Sequence, residues 1–388
     1  MNVSECRLCK KKTNPKVDFG SFPFPNELKT LSLTPTTHYP LILSQCETCG
    51  LNQIPHYTRD VFGNDYPYES KISFGYVSQC EQLVNECIQR FSLTPESRIL
   101  EIGCNDGYLL QHFAKQGYKN LVGVDPISRL CEKAREYAYV QAAFFDSALG
   151  ASLSQSHGPF DLIIANNVIA HVPDLFDFMQ GLRNAARENT KCIIEVHDFD
   201  HLLKHQQWDT IYHEHYSYYT ADTLKYAMQA GGFHAIEVKN IQSHGGSLRG
   251  YFNFQSQLDT IQVTPRDLTS FARDYAQSTL YLSYALRYHS INRKKVIAFG
   301  AAAKGVQFLN ALGMDKNLIP ACIDETPFKQ GKIMPGCEVP IVPLSYLEAH
   351  KPDLILILAW NAAEECKRKL APFKIPCITK RMGALNYV

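Results

Sequence analysis

The sequence lacks an excess of charge of either sign. Its 388 residues carry 39 Lys and Arg against 38 Asp and Glu, giving a formal net charge of +1 at pH 7. No long run of Lys or Arg occurs. Since a nucleic-acid-binding surface normally concentrates basic residues, the sequence predicts no nucleic-acid partner.

Long apolar runs are also missing. The strongly apolar stretches, such as 354–360, have the length of a buried strand and fall far short of the roughly 20 residues that span a bilayer. The first nine residues contain no apolar signal core. We therefore expect a soluble, cytoplasmic protein without a membrane partner. Its 45% hydrophobic and 20% charged residues are ordinary for two folded domains and a small third.

Cysteine, in contrast, is abundant, with 13 residues. An odd count without an export signal favours a reducing compartment over a disulfide framework. Cys6 with Cys9, and Cys46 with Cys49, form two Cys-x-x-Cys pairs that predict one tetrahedral, structural zinc site. Four unrelated reduced cysteines are the alternative. Redox pairs are less favoured, because neither pair lies in a βαβ pattern.

The clearest functional motif is RILEIGCNDG at 98–107. A short apolar strand is followed by a turn with Gly103 and Gly107 and then by a helix, which lets a ligand approach the backbone. The Gly-x-x-x-Gly spacing differs from the Gly-x-Gly-x-x-Gly of dinucleotide sites. The acidic residues Glu101 and Asp106 suit a ligand that carries an amine and no phosphate.

A second strand, over 120–124, ends in Asp125, whose carboxylate could accept both ribose hydroxyls of an adenosine. Together these features favour S-adenosylmethionine over NAD. An ordinary βα turn in another α/β protein is the alternative. The predicted cofactor contacts are Glu101, Gly103, Asn105, Asp106, Gly107, Asp125, Asn166 and Asn167.

Strands and helices alternate along the rest of the chain. The pattern predicts a parallel sheet that is finished by a hairpin, as in the Rossmann-like methyltransferases, and then a further α/β half. The predicted strands cover 140–145, 160–166, 192–196, 233–238, 248–254, 295–300, 319–324 and 354–359, and the predicted helices include 74–91, 129–137, 175–186 and 264–289.

Two motifs rich in histidine lie between the strands. In the first, IYHEHYSYY, an extended chain would point Tyr212 with Glu214, or His213 with His215, into one cleft. A histidine beside a carboxylate suits general-base catalysis. A surface loop is the alternative, which the second motif, HGGSLR, makes less favourable.

Two further stretches have the composition of ligand-binding loops. The aromatic, turn-rich segment 61–70 is typical of a loop that covers a site, although a surface connection is equally compatible with it. The turn from Gly300 to Lys304 places small residues and a lysine at a helix N-terminus, which suits a diphosphate. Alternatively, Lys304 is only a solvated residue of the first helical turn.

The order of these motifs resembles the S-adenosylmethionine-dependent sugar C-methyltransferases, which make 3-C-methyl branched deoxysugars. The likeness covers nearly the whole chain: the cysteine pairs, EIGCNDG, Asn166-Asn167 with His171, YHEH and HGGSLR. It implies a zinc-binding domain over 1–70, a class I Rossmann-like methyltransferase domain over 71–262 and a C-terminal Rossmann-like α/β domain over 263–388 that helps to hold the nucleotide.

The resemblance also implies residue roles. His215 matches the general base, with Tyr212 and Glu214 as its neighbours. His171 and Tyr66 match the sugar pocket, although Tyr68 lies close to Tyr66 in the sequence. The implied substrate contacts are Ser247, Arg249, Gly300 and Lys304.

The expected substrate is a nucleotide-linked 4-keto-6-deoxysugar that carries dTDP or GDP. His215 would remove the C3 hydrogen, donors such as Tyr66, His171 or an ordered water would stabilise the enolate, and the carbanion would take the methyl group. We expect a monomer with structural zinc. The alternatives are C5 methylation, a small-molecule O- or N-methyltransferase, and a zinc-ribbon binding module with a degenerate methyltransferase domain.

Overall fold

A computed structural model describes residues 5–30, 35–58, 61–63, 65–72, 74–255 and 261–388. Within these ranges the strands form three sheets, of four, seven and six strands. The central apolar strands of the two larger sheets are buried, as expected for sheets covered by helices. Each larger sheet therefore has its own core, and the small sheet packs beside them.

The N-terminal sheet is antiparallel. It contains β1 (Thr13–Phe22), β2 (Tyr39–Cys46) and β3 (Asn52–Gln53), with Thr13 opposite Cys46. The sequence showed only a Pro- and Thr-rich segment here, so these strands were not predicted. Their apolar side chains are buried against the C-terminal part of the chain rather than in a core of their own.

The central part of the chain contains α1 (Phe74–Phe91), β4 (Ile99–Ile102), α2 (Tyr108–Lys115), β5 (Leu121–Asp125), α3 (Ser128–Ala134), β6 (Tyr139–Ala142), α4 (Ser147–His157), β7 (Phe160–Asn166), α5 (Leu175–Ala185), β8 (Ala186–His197), α6 (Phe199–Lys204), β9 (Ser217–Tyr218), α7 (Ala221–Ala230), β10 (Phe233–Ile241) and β11 (Ser247–Phe254). All of these strands except β9 form the central sheet, in the order β10-β11-β8-β7-β4-β5-β6. Its five strands β4 to β8 are parallel, and β11 runs antiparallel between β8 and β10. This is the predicted Rossmann-like methyltransferase sheet with its terminal hairpin.

The C-terminal sheet is parallel except at one edge. The elements are α8 (Thr269–Ile291), β12 (Val296–Phe299), α9 (Ala303–Ala311), β13 (Cys322–Ile323), β14 (Ile341–Val342), α10 (Tyr346–Ala349), β15 (Leu354–Ile357), α11 (Ala363–Leu370), β16 (Cys377–Arg381) and β17 (Ala384–Tyr387). The strand order is β14-β13-β12-β15-β16-β17, and among these strands, within the described part of the chain, only β17 pairs antiparallel with its neighbour.

Four predicted strands are shorter than expected, and those over 295–300 and 354–359 each lose two residues as β12 and β15. The strand predicted over 319–324 is reduced to β13, and the strand predicted over 140–145 ends at Ala142. In the second case the chain leaves the sheet because residues 143–146 line a cavity instead. Apolar composition alone could not show whether these residues continue the strand or line a cavity.

The three sheets are joined by the segment around β9. This strand lies between β8 and β10 in the chain, yet it pairs with β3, with Asn52 opposite Tyr218. Just before it, Trp208 stacks on Phe308 of α9 at a ring separation of 5.7 Å. The segment 208–218 is thus held by the N-terminal sheet on one side and by the C-terminal sheet on the other. Of the helices described, none combines the length and the apolar character that a membrane crossing requires.

Candidate active site

The turn after β4 is as tight as the sequence predicted. Gly103 and Gly107 have φ of +71° and +76°, in the left-handed region that favours glycine. A Cβ at Gly103 would lie 2.4 Å from Cγ2 of Val168, and a Cβ at Gly107 would lie 2.7 Å from Cα of Ala134. Both glycines are therefore required by the packing.

Asp125, at the end of β5, organises this turn. Its Oδ2 accepts a hydrogen bond from Asn105 N at 2.9 Å, and its Oδ1 accepts one from Ile127 N at 2.9 Å. Burial raises the pKa of the carboxyl group to about 6. Each oxygen has a lone pair to spare, and the residue lines the adjoining cavity. The carboxylate therefore fits the ribose hydroxyls of an adenosine cofactor.

Glu101 and Asp106 are buried beside this turn and do not line the cavity. Burial, together with the neighbouring carboxylates, raises the pKa of Glu101 well above its usual value. Asp106 accepts a hydrogen bond from Lys71 N at 3.1 Å. These acids, like Gly107, belong to the buried packing of the turn and not to the cavity wall. Their contact with a cofactor amine stays a prediction.

The cavity itself has a volume of about 390 Å³. It lies at the carboxyl ends of β4, β5, β7 and β8, where ligands of open parallel sheets bind. Nine of the predicted site residues line it: Tyr66, Gly103, Asn105, Asp125, Asn166, Asn167, His171, Tyr212 and His215. Those that do not are Glu101, Asp106, Gly107, Glu214, Ser247, Arg249, Gly300 and Lys304.

The aromatic segment 61–70 covers one side of this cavity, with residue 64 outside the described ranges. Ser70 N donates to Asn105 Oδ1 at 2.9 Å, which ties the segment to the glycine turn. Glu69 forms ion pairs with Arg129 and, at 2.9 Å, with Lys133. The segment is thus fixed to both the turn and α3. Phe62 and Tyr68, which the sequence did not single out as site residues, also line the cavity.

His215 carries the lone pair that the predicted base requires. Because the Thr210 carbonyl can only accept, Nδ1 of His215 donates to it at 2.9 Å. In the neutral ring Nε2 is then an acceptor, and it receives the hydroxyl proton of Tyr212 at 2.8 Å. Burial, and after it the nearby His171 and His197, lower the pKa of His215 well below its usual value. The ring is therefore neutral, with its lone pair on Nε2.

Two further histidines adjoin this ring, and a third, His244, adjoins one of them. His171 lies 4.8 Å from the His215 ring, centroid to centroid, and its Nδ1 donates to the Glu214 carbonyl at 2.7 Å. Burial lowers the pKa of His171 to about 4. His197 lies 5.1 Å from His215 and 6.2 Å from His244. Sequence reasoning missed His197, although its place at the end of a parallel strand could have indicated it.

The segment 212–215 is a turn and is not extended, so the expected pairing of alternate residues is wrong. His215 N donates to Tyr212 O at 2.9 Å, and these two residues face the cavity together. Glu214 points the other way and accepts from Asn26 N at 3.1 Å. Burial raises the pKa of Glu214 to about 8. The His213 ring packs on Phe24, with centroids 5.0 Å apart, outside the cavity.

Ser247 and Arg249 lie away from the cavity. The Ser247 hydroxyl donates to Ser243 O at 3.1 Å. Arg249 forms ion pairs with Glu195 at 3.0 Å and with Glu86 at 3.4 Å. Both side chains are therefore engaged within the sheet region, and their contact with substrate stays a prediction.

A second, outer cavity of about 650 Å³ lies between the central and C-terminal sheets. His244 lines both cavities, so they adjoin. Trp360, Asn361 and Lys380 also line the outer one. Lys304 reaches this region from α9: its Nζ donates to Asn361 Oδ1 at 2.8 Å and lies 4.4 Å from the Trp360 ring centroid.

The four cysteines of the two pairs form one cluster. Their Sγ atoms all lie within 4.8 Å of one another, with Cys6 and Cys49 at 3.5 Å and Cys9 and Cys46 at 3.4 Å. A tetrahedral zinc with Zn–S bonds of about 2.3 Å holds its sulfurs at a similar separation. The cluster therefore fits a closed structural zinc site, and its cysteines are not among the residues that line the cavity.

The sheet order, the glycine turn and the Asp125 carboxylate define the class of protein: an S-adenosylmethionine-dependent methyltransferase. Two family models match consecutive parts of the chain: a methyltransferase domain over residues 76–238 and a C-methyltransferase C-terminal domain over residues 242–375. The match therefore extends into the C-terminal sheet.

The chain is also similar to known proteins. It is 29% identical over 385 residues to the C-methyltransferase NovU of Streptomyces niveus, covering 94% of this chain and 91% of that protein. A tRNA U34 carboxymethyltransferase of Actinobacillus succinogenes is 28% identical over 25% of this chain and 32% of its own length. Among solved structures, magnesium protoporphyrin IX methyltransferase of Synechocystis PCC 6803 is 14% identical over 47% of this chain and 84% of that chain, with a TM-score of 0.37. The two family models and the similarity to NovU together support an S-adenosylmethionine-dependent C-methyltransferase activity for this chain.

Proposed function

We propose that this enzyme methylates C3 of a nucleotide-linked 4-keto-6-deoxysugar. The observation that carries the proposal is the neutral His215 ring, which presents Nε2 in the same cavity as Asp125 and the glycine turn. C-methylation needs a carbon nucleophile, and a base in a water-poor cavity can create one next to a carbonyl group. S-adenosylmethionine supplies the electrophilic methyl group.

The first step is removal of the C3 proton by Nε2 of His215. In the structure this nitrogen accepts the Tyr212 hydroxyl, so the bound sugar must displace that hydroxyl before the proton can transfer. The C3–H electrons then form the enolate with the 4-keto oxygen. Tyr212, once displaced, is free to donate to this oxygen.

Tyr66 is the second donor that we assign to the enolate oxygen. Burial raises the pKa of its phenol, which therefore stays protonated. His171, also considered as a donor, is less suitable, because its Nδ1 proton already binds the Glu214 carbonyl and its Nε2 can only accept. The enolate carbon would then form a bond to the methyl group in line while the S–CH3 bond breaks, so that the sulfonium leaves as the neutral thioether S-adenosylhomocysteine. The task of this chain's residues is to align the two carbons.

The outer cavity suits the nucleotide part of the substrate. Trp360 offers a flat ring, and Lys304 brings positive charge beside it, with Nζ 4.4 Å from the ring centroid. A nucleoside diphosphate has both an aromatic base and negative charge, and the junction at His244 would let the sugar reach the inner cavity. The cysteine cluster lies outside this path, so we assign zinc a structural role.

A panel of nucleotide-linked sugars tests the proposal. The purified enzyme is incubated with S-adenosylmethionine carrying a ¹³C methyl group and with 4-keto-6-deoxysugars linked to dTDP or GDP, and products are examined by mass spectrometry and NMR. We expect a mass gain of one methyl group and a ¹³C methyl signal coupled to C3. A methyl group on C5, oxygen or nitrogen would contradict the proposal and favour one of the alternative methyltransferase functions.

A further inference from the structure

Asp209 is a fully buried carboxylate that connects two domains. It is 0% exposed and precedes the histidine motif in the chain. Its Oδ1 forms an ion pair with Nζ of Lys380, on β16 of the C-terminal sheet. Its Oδ2 accepts the indole proton of Trp360 at 2.6 Å. Both partners thus come from the C-terminal domain, while Asp209 belongs to the segment that follows α6.

This carboxylate adjoins the group that orients His215. Asp209 lies within the short 3-10 turn Trp208–Thr210, and the carbonyl of Thr210 accepts the Nδ1 proton of His215 at 2.9 Å. Thr210 N in turn donates to Gln207 O at 2.9 Å. Because Asp209 and Thr210 are neighbours in this turn, a shift of Asp209 would also move the Thr210 carbonyl. The position of Asp209 therefore affects the orientation of the His215 ring.

The stability of the fold alone does not require this arrangement. Replacing a buried ion pair by apolar residues of similar volume is often neutral or stabilising, so a buried pair is weak evidence for stability. A carboxylate held by an ammonium group and an indole N–H does, however, fix one backbone geometry closely. Here that geometry carries the acceptor of the proposed base.

We propose that Asp209 is a positioning residue, through which Lys380 and Trp360 of the C-terminal domain hold the Thr210 carbonyl and thereby the His215 ring. The catalytic part of this inference rests on the proposed role of His215 as the base. It assigns the C-terminal domain a part in catalysis as well as in substrate binding, since an incorrectly placed ring would not meet the C3 proton.

The test compares Asp209→Asn with Asp200→Asn. Asp200 forms another ion pair across this boundary, with Arg266 at 2.7 Å, and it lies in α6, outside the turn Trp208–Thr210. We expect Asp209→Asn to lower kcat about tenfold or more with little change in KM for S-adenosylmethionine. ¹⁵N NMR of histidine-labelled enzyme should show displaced His215 ring-nitrogen signals, assigned by their loss in His215→Asn. Asp200→Asn should change neither kcat nor the His215 ring-nitrogen signals.

Trp360→Phe provides a second variant that keeps the ion pair intact. It removes the indole proton donated to Oδ2 and also part of the ring that lines the outer cavity, so its readout is the His215 signals and not KM. The variant should shift these signals by a smaller amount, and it decides the question if Asp209→Asn does not fold. Parent-like His215 signals in a folded variant, or displaced signals with parent kcat, would overturn the inference. If His215→Asn itself retains full activity, the proposed base is wrong; if His215→Asn is inactive while Asp209→Asn equals the parent, only the positioning role is wrong.

Discussion

At the scale of single residues, the cavity depends on histidines that burial keeps neutral. In both His215 and His171, the Nδ1 proton donates a hydrogen bond to a backbone carbonyl, which leaves Nε2 as an acceptor in both rings. The sequence identified both as site residues. It could not give their tautomers, because these follow from the carbonyls of Thr210 and Glu214, whose directions depend on the local turn.

The neutral state of His215 predicts the acid limb of the pH profile. The base must be unprotonated, and its pKa lies well below the usual value of 6.5. We therefore expect kcat/KM to hold as the pH falls through 6.5 and to decline only at lower pH. Circular dichroism at each pH should exclude unfolding as the cause of the decline. This control is needed because His171 has a folded pKa of about 4, so the unfolded chain binds a proton more readily and the folding stability decreases as the pH falls from 6.5 toward 4. An acid limb at or above 6.5 would contradict the account.

Asp125→Ala should weaken S-adenosylmethionine binding. The variant loses an acceptor of ribose hydrogen bonds, which contribute about 1.5–3 kcal/mol each when charged. Asp324 is the matched control, because it accepts from Ala301 N and Thr326 N in the same manner in the C-terminal sheet. Titration calorimetry should show a weaker affinity for Asp125→Ala and parent affinity for Asp324→Ala; equal affinities would remove Asp125 from the cofactor site.

At the scale of elements, periodicity and turn residues predicted most of the central sheet. Helix α1 and strand β7 have the predicted bounds, because an amphipathic face and a continuous apolar run are strong local signals. The strands β1 and β2 were missed, since their buried side chains pack on the distant C-terminal core and the sequence around them is rich in turn-forming residues. The two-residue strands β3 and β9 pair across the chain and carry no local pattern.

The two Cys-x-x-Cys pairs give a prediction for the N-terminal sheet. Zinc should bind at one equivalent per chain, and binding should be coupled to folding of this region. Cys46→Ser should lose the metal and lower the melting temperature. Cys366→Ser, a buried thiol outside the cluster, should keep it. Metal analysis showing less than about half an equivalent in active parent enzyme would speak against the site.

The N-terminal end of α9 gives a prediction for substrate binding. Lys304→Ala should raise KM for the nucleotide sugar about tenfold, since charged hydrogen bonds contribute about 1.5–3 kcal/mol, and should leave S-adenosylmethionine affinity unchanged. Lys316→Ala, at an exposed lysine of the same domain, is the control. Equal KM values for Lys304→Ala and the parent would mean that Lys304 is only a residue of the domain boundary, paired with Asn361.

At the scale of the whole molecule, the site is assembled by all three sheets. Asn26 of the N-terminal part holds Glu214, and Lys380 of the C-terminal part holds Asp209, on either side of the segment that presents His215. The motifs and their order predicted the family and nine lining residues. The direction of each side chain in the turn could not be predicted, because contacts from two distant parts of the chain determine it.

The most direct test of the account is hydrogen exchange at C3. The nucleotide-linked 4-keto-6-deoxysugar is incubated with enzyme in heavy water, with an inert cofactor analogue to order the site, and deuterium at C3 is followed by NMR. General-base catalysis contributes about 10²–10⁴ in rate. We predict exchange with the parent and with His213→Asn, whose ring packs on Phe24 outside the cavity, and loss of exchange with His215→Asn. Exchange at the parent rate in His215→Asn would contradict the central claim and make His171 the next base to test.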